Sequence, residues 1–366
     1  MSQLRSFGKF FLPGPTEVPH DLFEAMQRPV AGHRSPEVSA LVQGMQPKLS
    51  ALLRTSRPVY ISTSSATGMM EAAITNLTGR GALCLTNGSF GQRFYNISTA
   101  TGRAADTLEA QWGDPLLPEQ LREALAADPG RYDLVTVVHS ESSTGVLNPV
   151  RELAAVVREF DDVLIAVDAV SSLAAARIEM DEWGIDFLLT GSQKAVALPP
   201  GLAFAAASDR ALERARNTPN RGFYFDLLNH EKNMKKWQTP TTPAVSLLFA
   251  LERQLERIHE EGLQARWTRH TAMAERTWQW VADTAEATGR PLGVFAAEGY
   301  RSPAVTAIGL PEGLTGPEVE GRMKSRGFAV AAGYGKLKEP TFRIGHMGEH
   351  TMEELEALLA VLSEVL

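Results

Sequence analysis

Short apolar segments in the first two thirds of the chain predict the strands of a buried β-sheet. They are rich in aliphatic side chains and show no regular alternation with polar ones, so both faces of each strand are expected to be buried. This pattern is typical of the central strands of a parallel sheet. The segments are residues 58–62, 82–86, 134–139, 163–168, 187–189 and 202–207.

Helical patterns separate these strands. In residues 151–160 the apolar side chains recur every three or four positions, which places them on one face of a helix. Residues 116–127 show the same spacing, with a proline in the first turn. Strands that alternate with helices predict an α/β fold with a mostly parallel sheet.

The pattern changes after about residue 244 and predicts a smaller α+β domain. Long amphipathic helices are expected first, followed by two short strands, a further helix and a leucine-rich helix at the C-terminus. These segments are 244–258, 263–287, 304–308, 328–331, 316–326 and 355–362. The predicted division is an N-terminal arm at 1–15, a large domain at 16–258 and a small domain at 259–366.

Composition narrows the class of protein. The 366 residues carry a net charge of −7, so the chain does not have the basic character expected of a nucleic-acid-binding protein. No apolar run is long enough to predict a membrane span or a secretory signal, so we expect a cytoplasmic protein. The single cysteine, Cys84, excludes an intrachain disulfide and a multi-cysteine metal site, and we expect no metal.

Two charged residues follow predicted strands at the edge where α/β sheets bind ligands. Lys194 lies in a turn of small residues after 187–189, and burial there would lower its pKa and favour attack on a carbonyl. Asp168 ends the strand 163–168, where a carboxylate needs a cation or a donor as partner. Each residue alone also fits an ordinary solvated loop or a helix cap.

Two polar segments occupy the same edge. Residues 64–72 open a helix after a strand, and the small hydroxylated residues at its N-terminus would form an anion cradle. Residues 139–145, which include Ser142, follow another strand. A phosphate cradle, hydroxyl groups, an aspartate and a lysine are together what pyridoxal phosphate requires, although each part alone also fits helix capping or a turn.

The chain resembles the class V aminotransferase family of fold type I pyridoxal phosphate enzymes. The segment Gly191-Ser192-Gln193-Lys194, followed by Pro199-Pro200-Gly201, is similar to the family's cofactor-lysine motif. Residues 139–145 and 167–172 resemble two further signatures, and residues 12–16 and 342–348 match its two ends. The resemblance covers nearly the whole chain in order, and it implies a large domain with a mostly parallel, seven-stranded sheet.

The resemblance assigns roles to individual residues. It implies that Lys194 carries the cofactor and moves a proton and that Asp168 pairs with the ring nitrogen. Further positions are implied for cofactor binding: Ser65, Ala66, Thr67 and Gln193 at the phosphate, Ser142 near the phenolic oxygen, and Phe90 stacked on the ring. Arg343 is implied to bind the substrate carboxylate, for which a planar guanidinium is suited.

The resemblance also implies a homodimer whose partner chain completes the site. Residues 238–243 resemble the segment that reaches the phosphate across the dimer, with Thr241 as the contacting residue. Some relatives carry tyrosine at the position of Gln238, so that contact differs here. The expected partners are therefore a second copy, a small amino acid and a 2-oxoacid.

The reaction is expected to be transamination between alanine or serine and glyoxylate or pyruvate by a ping-pong mechanism. Phosphoserine aminotransferase is the alternative, because His33, Arg34, Lys336 and Lys338 would supply a positive pocket for a substrate phosphate. An aspartate aminotransferase ranks lower. A cysteine desulfurase or lyase is disfavoured because Cys84 lies in a strand-like run, and retention of Lys194 and Asp168 disfavours a non-catalytic binding module.

Overall fold

A computed structural model of the chain describes residues 8–366, and the first seven residues of the predicted arm lie outside this range. The helices of the described part are α1 (His20–Met26), α2 (Pro36–Leu53), α3 (Ala66–Leu77), α4 (Ser89–Ala100), α5 (Pro118–Ala127), α6 (Val150–Val157), α7 (Met180–Trp183), α8 (Asp209–Asn217), α9 (Leu227–Met234), α10 (Val245–Glu261), α11 (Leu263–Thr288), α12 (Gly316–Ser325) and α13 (Met352–Val365). None of them is long and apolar enough to cross a membrane.

The strands are β1 (Lys9–Phe10), β2 (Tyr60–Ser62), β3 (Ala82–Thr86), β4 (Ala105–Glu109), β5 (Leu134–Val138), β6 (Ser140–Glu141), β7 (Val146–Leu147), β8 (Leu164–Asp168), β9 (Phe187–Gly191), β10 (Ala203–Ala207), β11 (Gly293–Val294), β12 (Val305–Gly309), β13 (Phe328–Ala329), β14 (Ala331–Ala332) and β15 (Thr341–Gly345). The short helix Gly335–Leu337 is of the 3-10 type.

A seven-stranded sheet with the order β2-β10-β9-β8-β5-β3-β4 forms the centre of the molecule. Strands β9, β8, β5, β3 and β4 are parallel, whereas β10 runs antiparallel to both of its neighbours. The predicted mostly parallel α/β sheet is thus confirmed. Strand β4 was not predicted, because it forms the edge of the sheet and its side chains are half-buried or exposed rather than uniformly apolar.

The pairing register brings the ends of the central strands together. Val138 pairs with Asp168, and Asp168 pairs with Leu189 in the adjacent strand β9. Lys194 follows β9 by three residues. The aspartate and the lysine therefore meet at the carboxyl edge of the sheet, where open α/β sheets bind ligands.

A second sheet, with the order β11-β12-β15-β14, is antiparallel. Its own hydrophobic core includes Phe11, Trp280, Ile308 and Leu358, contributed by the N-terminal segment, α11, β12 and α13. Arg343 lies in the middle of β15, opposite Ala307. The predicted α+β character of the C-terminal region follows from these elements, while the domain boundaries stay a prediction.

The N-terminal segment connects the second sheet to the edge of the first. Strand β1 pairs in parallel with β13 as a separate two-stranded sheet, and the carbonyl of Phe11 accepts the N–H of Gly345 in β15 at 2.8 Å. The chain then turns across the sheet edge, where the Thr16 hydroxyl donates to the carbonyl of Lys194 at 3.2 Å. Residues 12–15 are thereby held directly above the lysine.

Candidate active site

A cavity of about 290 Å³ lies at the carboxyl edge of the large sheet, between that edge, the N-terminal segment and β15. Nine of the predicted site residues line it: Ser65, Ala66, Thr67, Phe90, Ser142, Asp168, Gln193, Lys194 and Arg343. They come from six separate segments of sequence. Three predicted residues, His33, Arg34 and Thr241, do not line the cavity of the single chain.

Lys194 is the amine at the floor of the cavity. Its Nζ donates a hydrogen bond to the carbonyl of Pro13 in the N-terminal segment. Burial lowers its pKa to about 8, and the positive charges of Arg343 and Arg93 act in the same direction, against the negative charge of Asp168. At pH 7 about a tenth of the amine is therefore neutral and nucleophilic, a far larger share than for a lysine with an ordinary pKa.

Asp168 is a buried carboxyl group without an ion-pair partner among residues 8–366. It ends β8, is 4% exposed, and its Oδ1 accepts the N–H of Val170 at 2.7 Å. Burial raises its pKa to about 6. A cationic ring nitrogen placed beside it would supply the missing partner and favour the carboxylate form.

The phosphate cradle is the N-terminus of α3. Ser65 is its N-cap, yet the serine side chain makes no capping hydrogen bond, and the first N–H groups of a helix have no partner within it. The buried Oε1 of Gln193 also has no hydrogen-bond partner among the described residues. The free N–H groups of the helix N-terminus fit a bound phosphate, and Gln193 would reach it through its amide N–H group, because an amide oxygen only accepts hydrogen bonds.

Arg343 is a buried guanidinium on the opposite wall. It is 7% exposed, and it donates to two backbone carbonyls, those of Ala332 and Ser142, both at 3.1 Å. In the described part of the chain no carboxylate forms an ion pair with it, and burial lowers its pKa to about 10. The geometry fits an incoming carboxylate.

Arg93 and Tyr334 also line the cavity, and the sequence reasoning assigned neither of them a role. The ring of Phe90 stacks on Tyr334 with a centroid distance of 5.4 Å, and the guanidinium carbon of Arg93 lies 4.6 Å from the Phe90 centroid. Arg93 donates to Oγ1 of Thr67 at 3.2 Å. Its position three residues after Phe90 on α4 was the available signal, because that spacing shares one helix face.

Arg34 lies at the surface and binds the segment that contains Thr241. Its guanidinium donates to Oε1 of Gln238 at 3.0 Å and to the carbonyls of Thr239 and Pro240 at 2.9 and 3.1 Å. Arg34 and the segment 238–243, both predicted to belong to the site, therefore contact each other outside the cavity lining. Lys336, proposed for a substrate phosphate, instead lies 4.2 Å from the ring centroid of Trp112.

Cys84 is fully buried in β3 and does not line the cavity. Burial raises the pKa of its thiol to about 11, so the thiol stays protonated and unreactive near neutral pH. Sulfur transfer requires an accessible thiolate. The geometry thus supports the expectation that the chain is not a cysteine desulfurase.

The family model for class V aminotransferases matches residues 11–291, about three quarters of the chain. The chain is a class V aminotransferase. Pyridoxal phosphate is the cofactor of enzymes with this family and fold, and it is the cofactor of this enzyme. The unpartnered carboxyl group, the cradle and the buried lysine described above fit this group.

Relatives of known name resemble the chain over almost its full length. An uncharacterised aminotransferase of Methanocaldococcus jannaschii is 40% identical over 357 residues, 95% of this chain and 90% of that protein. A Synechococcus protein named as the small subunit of a soluble hydrogenase is 37% identical over 97% of this chain and 92% of that protein. An L-aspartate–glyoxylate aminotransferase of Paracoccus denitrificans is 32% identical over 95% of this chain and 88% of that protein.

Further relatives, 31–32% identical, are named serine–glyoxylate and alanine–glyoxylate aminotransferases. Among solved structures, the alanine–glyoxylate aminotransferase of Nostoc sp. superposes with a TM-score of 0.90 at 29% identity, covering 99% of this chain and 96% of that chain. The predicted family and fold type I architecture are confirmed by these comparisons.

Proposed function

We propose that this aminotransferase moves the α-amino group between alanine or serine and glyoxylate or pyruvate in two half-reactions. The observation that carries the proposal is the buried Arg343 guanidinium, which has no carboxylate partner among the described residues and shares a cavity with Lys194. The same cavity, of about 290 Å³, is lined by Asp168 and by the phosphate cradle. Glyoxylate is common to the names of several relatives.

Arg343, Lys194 and Asp168 have separate roles in the proposed reaction. When bound, pyridoxal phosphate supplies an electron-withdrawing ring that stabilises negative charge at the substrate α-carbon. Arg343 binds and orients the α-carboxylate. The amine of Lys194 would hold the cofactor at its carbonyl carbon. Once the substrate amine has displaced it, the same amine would carry the proton from the substrate α-carbon to that carbonyl carbon. Asp168 holds a proton on the ring nitrogen through its negative charge.

The remaining cavity residues hold the cofactor in place. The cradle of Ser65, Ala66 and Thr67, with Gln193, binds its phosphate, and Ser142 donates toward its phenolic oxygen. Phe90 packs against one face of the ring. Together these contacts fix the α-carbon within reach of the lysine and exclude water from it.

A phosphorylated substrate is less well supported. Arg34 donates to the backbone carbonyl of Thr239 outside the cavity, and Lys336 lies against the ring of Trp112. The second candidate donor is aspartate. Arg93 lines the cavity as an additional guanidinium, and no ion pair engages it within residues 8–366. A second carboxylate on the substrate would satisfy it, as would the cofactor phosphate next to Thr67.

We also propose that two copies form a homodimer in which Thr241 reaches the partner's cavity. Thr241 does not line the cavity of its own chain, and Phe223, which is 79% exposed, is a large apolar side chain available to an interface. The assay is sedimentation velocity, together with a Thr241→Ala variant that should weaken cofactor binding without unfolding. We also propose, from the sequence, a cytoplasmic location and the domain boundaries given above.

The decisive experiment is a single-turnover screen with alanine, serine, phosphoserine and aspartate. The bound cofactor's absorbance should shift to that of the pyridoxamine form fastest with alanine or serine, and glyoxylate or pyruvate should restore it. Lys194→Ala should abolish the conversion. Conversion by phosphoserine or aspartate alone would replace the proposed donor, and no conversion by any amino acid would refute the proposal and favour a binding module.

A further inference from the structure

Helix α4, which carries Phe90, begins without a capping side chain of its own. Its N-cap residue is Gly88, and the N–H groups of the first turn therefore need acceptors from elsewhere. Those acceptors come from a distant hairpin, β6–β7, which lies more than fifty residues further along the chain. Helix and hairpin meet at the wall of the active-site cavity.

Glu141 supplies most of these acceptors. Its Oε2 accepts the N–H groups of Phe90 and Gly91 at 2.9 and 3.0 Å. Its Oε1 accepts the N–H and the hydroxyl of Ser143 at 3.1 and 2.6 Å, and the Ser143 oxygen accepts the N–H of Ser89 at 3.0 Å. One buried carboxylate and one serine thereby satisfy all three N–H groups of the first turn.

The carboxylate lies behind the cavity wall and not in the cavity. Ser140 and Ser142, on either side of Glu141 in the chain, line the cavity, whereas Glu141 does not and is fully buried. The same hairpin offers the Ser142 carbonyl to Arg343. The position of Glu141 therefore links the aromatic ring, the serine and the substrate-binding arginine without contact with a ligand.

Gly88 leaves the space that this arrangement needs. A Cβ atom at this position would overlap the Cγ and Cδ atoms of Glu141 and the hydroxyl of Ser143. A side chain at residue 88 would push the carboxylate away from the helix. Position 88 requires glycine because the Glu141 side chain approaches it closely. Its backbone conformation is not the reason, because it is extended.

We propose that Glu141 is a positioning residue for transamination, which caps α4 from the hairpin and so holds the Phe90 ring against the cofactor. The inference rests on the proposed cofactor contacts of Phe90. A carboxylate at a helix N-terminus is stabilised by the helix dipole and by charge-assisted hydrogen bonds. Loss of the charge would let the first turn move and would loosen the ring.

The test compares Glu141→Gln, Phe90→Ala and the double variant with the parent enzyme. Three properties are measured: the dissociation constant of pyridoxal phosphate, the visible circular dichroism of the bound cofactor, and kcat and KM in the half-reaction. We expect Glu141→Gln to weaken cofactor binding about tenfold and to reduce the dichroic signal, with kcat falling and KM for the amino acid little changed. Glu152→Gln, an exposed carboxylate on α6, is the matched control and should behave as the parent.

The double variant separates positioning from general destabilisation. If Glu141 acts through the ring, Glu141→Gln added to Phe90→Ala has less than about a twofold further effect on cofactor affinity. An equal tenfold loss in both backgrounds, or an unchanged dichroic signal in Glu141→Gln, would overturn the inference. If Glu141→Gln does not fold, Ser143→Ala is tested in its place. It should change the cofactor affinity and the dichroic signal in the same direction, by smaller amounts.

This outcome is separable from the test of function. A parent enzyme that converts no amino acid refutes the proposed function. A parent enzyme that is active, beside a Glu141→Gln variant with parental affinity and spectrum, refutes only the role of Glu141.

Discussion

Replacement of Arg343 gives the sharpest test of the substrate site. Arg343→Met removes the guanidinium but keeps an unbranched side chain of similar length in the middle of β15. Arg343→Lys keeps the positive charge and loses the planar fork that pairs with a carboxylate through two hydrogen bonds. Both variants leave Lys194 and the phosphate cradle in place.

The expected magnitude follows from the burial of the group. Arg343 is 7% exposed, and its described partners are two neutral carbonyls, so a substrate carboxylate would meet a largely desolvated cation. Removal of one member of such a pair costs about 3–4 kcal/mol, which corresponds to a fall in kcat/KM of roughly 10²- to 10³-fold. The lysine variant should lose about tenfold, because a single point charge replaces the fork.

The assay is the single-turnover rate as a function of amino acid concentration, with cofactor affinity and thermal unfolding as controls. The affinity for pyridoxal phosphate should stay at the parental value, since Arg343 is assigned to the substrate. A loss below about tenfold in Arg343→Met, or a parallel loss of cofactor binding, would refute the assignment.

Three further predictions concern other buried groups. Because the neutral amine of Lys194 is the reactive form and its pKa is about 8, capture of pyridoxal phosphate by the apoprotein should accelerate with pH and level off above that value. In Arg343→Met the midpoint should move upward, since a neighbouring positive charge is lost, and stopped-flow absorbance that shows a downward move would contradict this. Cys84→Ala should keep parental turnover in the half-reaction assay and cost about 1 kcal/mol in denaturant unfolding, whereas a large loss of turnover would revive the desulfurase or lyase alternative. Arg266→Met breaks buried ion pairs of 2.6 and 2.8 Å with two glutamates and should lower the free energy of unfolding by about 3–5 kcal/mol. Arg276→Met, at a half-buried arginine on the same helix whose ion pair is largely solvated, should cost less than about 1 kcal/mol. Equal effects of the two substitutions in chemical denaturation would show that burial is not the cause.

The central strands could be predicted because burial on both faces leaves a continuous apolar run. Predicted segment 82–86 is β3 itself, and 134–139 and 163–168 differ from β5 and β8 by one residue each. Strand β4 has no such signal, since an edge strand exposes one side to water. The antiparallel direction of β10 was equally invisible, because a strand buried on both faces has the same composition in either direction.

The site could be predicted where a residue lies at the end of a central strand. Asp168 and Lys194 fall there, and the parallel register forces them together whatever the details of the loops. Tyr334 comes from a loop beside a short 3-10 turn, and only the packing of the second sheet against the first brings it to Phe90. Contacts of that kind depend on the tertiary arrangement and leave no local pattern in the sequence.

The charges of the side chains that line the cavity explain why the site favours anionic ligands. Lys194, Arg343 and Arg93 line it with Asp168 as the only lining carboxylate in the described part, although the chain as a whole carries a net charge of −7. Burial of excess positive charge is unfavourable, and it lowers the pKa of both Lys194 and Arg343. A cofactor phosphate and a substrate carboxylate supply the missing negative charge. The same cations that are costly to bury without these ligands therefore provide the affinity of the site, Arg93 beside Thr67 for the cofactor phosphate and Arg343 for the substrate carboxylate.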